Sequence, residues 1–129
     1  MRRLLMLPVL FTLATPAAAT EWVTCSADGE DASVDVLVGL GMDVISISAA
    51  RIDAGGKTWA TDAEGDQKII VGQGFEDADK MMVDFTDPGV STIVASLRLF
   101  KASEGDSFVS GGTLKVAGVG AWAVACTGP

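Results

Sequence analysis

Polar and apolar residues alternate along most of the chain beyond residue 20, and no long stretch has helical periodicity. In DASVDVLVGLG (31–41), Val34, Val36, Val38 and Leu40 share one face, with Ser33 and Asp35 opposite. In DKMMVDFTD (79–87), Met81, Val83 and Phe85 point one way, and Lys80, Met82, Asp84 and Thr86 the other. In STIVASLRLFK (91–101), Ile93, Ala95, Leu97 and Leu99 form an inward row opposite Thr92, Ser96 and Arg98. A period of two is the signature of antiparallel strands with one buried face.

Turn-forming residues punctuate these runs at Asp28-Gly29, Gly39 to Gly41, Ala54-Gly55-Gly56, Glu64-Gly65-Asp66, Asp87-Pro88-Gly89, Glu104-Gly105-Asp106 and Gly118 to Gly120. In Asp87-Pro88-Gly89, proline presets the first central position of a turn, and glycine is expected to take positive φ at the second. Between the turns lie eight or nine predicted strands, near 22–27, 32–40, 43–52, 57–60, 67–75, 80–86, 91–101, 107–117 and 119–126. Short strands at regular spacing predict an all-β domain, an antiparallel barrel or barrel-like sandwich of about eight strands.

The first 19 residues, MRRLLMLPVLFTLATPAAA, read as a signal peptide: Arg2 and Arg3, an apolar run from Leu4 to Ala14, then small residues. That run is far shorter than the roughly 20 residues needed to cross a bilayer, so no membrane insertion is expected. Residues 20–129 are then a single domain in the periplasm or outside the cell. An exported chain with two cysteines predicts a disulfide, and Cys25 and Cys126 lie in the first and last predicted strands. Bonding them would hold the two terminal strands side by side and close the edges of a barrel or sandwich.

Charge narrows the range of partners. Without Arg2 and Arg3 the nine basic residues fall to seven, against seventeen acidic ones, a formal charge of −10. Such a surface repels nucleic acids and attracts a cationic protein or peptide.

Candidate chemistry is sparse. The absence of histidine removes the usual base of nucleophilic hydrolases and the commonest zinc ligand. Gly105-Asp106-Ser107 resembles, over three residues, the nucleophile block of an esterase superfamily, but the catalytic histidine has no counterpart, and the segment reads as a hairpin turn. Ser110 and Lys115 have opposite parity in a strand and cannot form a serine–lysine pair. Asp62, Glu64 and Asp66 alternate around a glycine as calcium ligands do, yet Gln67 and Gln73 stand where an EF-hand loop needs glycine and glutamate. Most other acids lie in turns; Asp35 and Asp84 are on outward strand faces.

Three apolar residues, Met82, Val94 and Phe100, fall in outward rows, where they form either a second buried face or a partner-binding surface. The combined reading is a non-catalytic binding or inhibitor module with no resident cofactor, directed at a cationic protein or peptide. A structural subunit of an envelope assembly is the alternative, followed by a calcium-dependent protein or carboxylate enzyme.

Overall fold

The computed structural model describes residues 20–41 and 44–128; the expected leader, 1–19, lies outside them. Among the described residues, nine antiparallel strands form one sheet: β1 (Thr20–Ala27), β2 (Ala32–Gly41), β3 (Val44–Ala54), β4 (Lys57–Ala60), β5 (Ile70–Glu76), β6 (Lys80–Thr86), β7 (Ile93–Glu104), β8 (Ser107–Val116) and β9 (Gly120–Thr127). Their spatial order is β4-β3-β2-β1-β9-β8-β7-β6-β5. Seven of the eight strand neighbours are also neighbours in sequence. The exception, β1 beside β9, closes the curled sheet into a nearly complete barrel.

Cys25 lies directly opposite Cys126 in that ladder, with 4.0 Å between Cα atoms, and the two are disulfide-bonded. The expected all-β, disulfide-closed fold is therefore present. At the other side of the sheet, Ala60 at the end of β4 forms an isolated parallel bridge with Lys68, in the segment that leads into β5. Below that bridge β5 has no second hydrogen-bonded neighbour among the described residues. Gly74 leaves an inward vacancy there, and Ile45 and Ile47 of β3 reach into it, 3.5 Å from where a Cβ would lie.

The barrel interior is filled. Val34, Val36, Ile52, Ile69, Val83, Phe85, Leu97 and Leu114 are wholly buried, joined by Met81, Leu99 and Val116. Branched and aromatic side chains at alternate positions make most of the inner wall apolar, and burying each large one contributes roughly 1.5–3 kcal/mol. At the lower end, Lys101 and Glu76 form a largely buried ion pair. Near this end β8 carries Gly111 and Gly112, and a Cβ on Gly112 would come 1.9 Å from the Arg98 carbonyl oxygen. Only glycine allows the strands to approach that closely.

Two details differ from the sequence expectation. The Asp87–Val90 turn closes through a hydrogen bond from the Val90 N–H to the Asp87 carbonyl (2.9 Å), but the left-handed residue is Val90 (φ 54°), not Gly89. The Asp87 carboxylate accepts from the backbone N–H of Ser91 (2.9 Å) and Thr92 (2.6 Å), drawing the chain back just after the turn. The second difference is a bulge opposite the Phe85–Thr86 step. It pairs Ile93 with Thr86 and leaves Val94 unpaired. Val94 consequently packs against the core and Ile93 is 52% exposed, the reverse of the predicted parity.

Candidate functional site: an outer face on β5 to β8

On the outer wall, Phe75 pairs with Met82, Met82 with Arg98 and Arg98 with Thr113. One step down, Lys80 pairs with Phe100 and Phe100 with Gly111; beyond them Ala102 pairs with Val109. Phe75 (48% exposed), Phe100 (66%) and Val109 (64%) therefore occupy one face, beside the half-buried Met82. On its β8 side Phe100 lies opposite a glycine, which has no side chain to cover it; on its β6 side it lies opposite Lys80. Long β7 and β8 extend past their neighbours, because β6 begins at Lys80 and β9 ends at Thr127, so Ala102 and Val109 stand on a projecting hairpin. Its Glu104–Ser107 end is a two-residue turn, as the sequence indicates for Gly105-Asp106-Ser107.

Of the three residues expected on a partner surface, the structure brings Met82 and Phe100 together and removes Val94. Phe75 and Val109, which join them, were missed: glycines interrupt the alternation in VGQGF (71–75), and Val109 follows Phe108 in a hairpin arm with no continuous inner face. Acidic loops border the patch, with Asp77 and Asp79 between β5 and β6 and Glu104 and Asp106 at the hairpin end.

Higher on the same wall lies a cleft of about 310 Å³ lined by Gln73, Gly74, Phe75, Met82, Asp84 and Arg98. It shares Gln73 and Asp84 with a second hollow of about 230 Å³, whose far wall includes Val90 and Ile93. Asp84 keeps its outward parity but is only 4% exposed. Gln73 Nε2 (2.8 Å) and Arg98 Nη2 (2.7 Å) both donate to its carboxylate. Burial alone would raise its pKa; the Gln73 and Arg98 hydrogen bonds outweigh it and hold the carboxyl below the usual range. Arg98 is held in turn by the carbonyls of Leu97 (2.9 Å) and Val83 (3.2 Å). A carboxylate kept ionised and capped in this way organises a surface, and is poorly placed as a proton donor.

Asp62, Glu64 and Asp66, the expected calcium ligands, are all exposed in the loop between β4 and β5. They do not converge: among the described residues no three acidic side chains are grouped so that they could hold a metal ion. The loop is fixed instead by Thr61, whose N–H donates to the Ala50 carbonyl (3.0 Å) and whose hydroxyl accepts from the Ala50 N–H (3.1 Å). Asp35 lies across the β2–β3 ladder from Arg51, and Arg51 donates twice to Asp53 (2.8 and 3.0 Å).

Comparison with known proteins adds no relative to this description: no family profile, no curated protein and no solved structure matches the chain.

Proposed function

We propose that the protein is an exported, non-catalytic binding or inhibitor module whose partner is a cationic protein or peptide, engaged through the outer face of β5 to β8. The observation that carries this reading is the cluster of Phe75, Met82, Phe100 and Val109 on one wall, bordered by Asp77, Asp79, Glu104 and Asp106. Apolar anchors with acidic loops at two edges, and only Lys80 and Arg98 as cations within the face, suit a partner that buries aromatics centrally and is steered by charge at the edge. The excess of acidic residues and the lack of histidine point the same way. The periplasm is the location this reading favours, on the strength of the leader-like first 19 residues.

The test is a comparison of baits. Periplasmic extract passed over immobilised wild-type protein should yield a partner that elutes as salt rises. A Phe100→Ala bait, used once circular dichroism has shown its fold intact, should retain much less of it. Salt-insensitive retention, or equal retention by the two baits, refutes the proposal. A structural subunit of an envelope assembly is the second reading, favoured by the one-sided pairing of β5; it predicts a stable complex that survives high salt.

A further inference from the structure

A separate depression of about 390 Å³ lies on the outer wall of β1 to β3, lined by Trp22, Ser48, Ala49, Ala50, Arg51, Thr61 and Asp62. Its shape follows from the sequence. Trp22 pairs with Leu37, and Leu37 with Ala49, so a large indole stands two strands away from a methyl group. A bulge in β3 between the Ala49 and Ile47 pairings sets Ser48 out of register, so a run of small residues forms the floor. The Thr61 hydrogen bonds to Ala50 clamp the β4–β5 loop on β3 and place Asp62 at the rim. Trp22 is 50% exposed.

The charges here are unevenly committed. Arg51 is engaged by Asp53, and Lys68 Nζ donates to the Thr61 carbonyl (2.9 Å). Asp62 and Asp35 are in no ion pair among the described residues. Both are close enough for their charges to raise the Arg51 pKa, behind the larger effects of the Asp53 hydrogen bond and charge. Of the two charged side chains that line the depression, Arg51 is thus taken up by Asp53, and Asp62 has no ion-pair partner among the described residues. An indole and a carboxylate lining one depression are a combination that attracts organic cations, since the ring quadrupole and the carboxylate favour the same charge.

We propose that this Trp22–Asp62 depression receives the ammonium or guanidinium group of a lysine or arginine side chain. The inference rests on the cationic-partner reading and gives it a second point of contact, away from Phe100. The aliphatic stem would lie along Ala49 and the indole, leaving the charged end at Asp62.

The probes are Nα-acetyl-lysine methylamide and the uncharged Nα-acetyl-norleucine methylamide, followed in ¹⁵N–¹H spectra, with the Trp22 indole signal assigned from Trp22→Phe. The lysine probe should shift that indole signal and the Asp62 amide with millimolar affinity, weakening with salt. The norleucine probe should bind at least about fivefold more weakly, and Asp62→Asn should weaken lysine binding several-fold without changing Tm. Equal binding of the two probes, or no loss in Asp62→Asn, overturns the proposal. A tetralysine peptide separates this inference from its premise. If the peptide perturbs Phe75 and Phe100 while the Trp22 signal stays still, the depression is wrong and the cationic-partner reading survives. If it binds nowhere at low salt, both fall.

Discussion

Replacing Val90 by glycine should stabilise this protein. A β-branched residue with φ 54° is in the left-handed region, where the strain on an L side chain is about 1–3 kcal/mol. Taking about 2 kcal/mol as the strain released, two losses must be subtracted. Val90 is 64% exposed, so truncation removes about a third of a valine's burial, roughly 0.5 kcal/mol. The greater freedom of glycine in the unfolded chain removes a further ~0.5–1 kcal/mol. The net gain is about 0.5–1 kcal/mol, an increase in Tm of roughly 2–5 °C for a domain of this size. Calorimetry of wild type, Val90→Gly and Val90→Ala decides the matter. Alanine loses the same contacts but retains much of the left-handed strain, so it should fall below glycine. A Val90→Gly protein that melts lower than wild type, or together with Val90→Ala, would refute the strain argument and leave Asp87 and its hydrogen bonds to account for the turn.

Other substitutions test other parts of the structure. The double change Cys25→Ala, Cys126→Ala should cost about 2–5 kcal/mol in urea unfolding, since the bond spans a separation of 101 residues; a loss under about 1 kcal/mol would mean that strand pairing alone closes the barrel. Gly112→Ala drives a methyl group into the Arg98 carbonyl and should cost about 3 kcal/mol or prevent folding, so a wild-type melting curve would contradict the close approach described. The folded-state pKa of Asp84 is depressed, so its contribution to stability is present above the unfolded value near 4 and is lost as pH falls through the folded one. Arg98→Ala leaves that carboxylate buried with only the uncharged Gln73 and Ser96 beside it, at a cost of roughly 1–3 kcal/mol at pH 7 once the 39% exposure of Arg98 is discounted. The deficit should shrink as acid protonates Asp84, and a pH-independent difference between variant and wild type would show that Arg98 acts by packing.

The strands were readable because a period of two survives in any sheet that buries one face. DASVDVLVGLG and KMMVDF predict β2 and β6 within a residue or two. Bulges are what the pattern cannot locate. The extra residue at Val94 costs the sequence nothing in composition, yet it reverses which of Ile93 and Val94 meets solvent. Asp84 was legible as outward-facing but not as covered, because its partners Gln73 and Arg98 come from neighbouring strands whose register is set by packing across the barrel. The positive φ at Val90 was hidden for a related reason: Asp-Pro-Gly specifies a turn, whereas the side chain of Asp87 selects its exit. For the candidate face, residue type marked Met82 and Phe100, while Phe75 and Val109 needed the cross-strand register.

The order of strands also fixes an order of events. Every hairpin in the sheet can form from residues near one another in sequence, and only the meeting of β1 with β9 requires the two ends of the chain to find each other. That ladder has four register pairs, Thr24–Thr127 to Ala27–Val124, few for the contact that turns a ribbon of hairpins into a cylinder. Because loop closure over such a distance is the slow, entropically opposed part of folding, the two thiols come together only after both halves are largely built. Oxidation of Cys25 and Cys126 then acts as a clasp fastened last. The rate at which the thiols disappear to an alkylating quench during refolding would time the completion of the barrel.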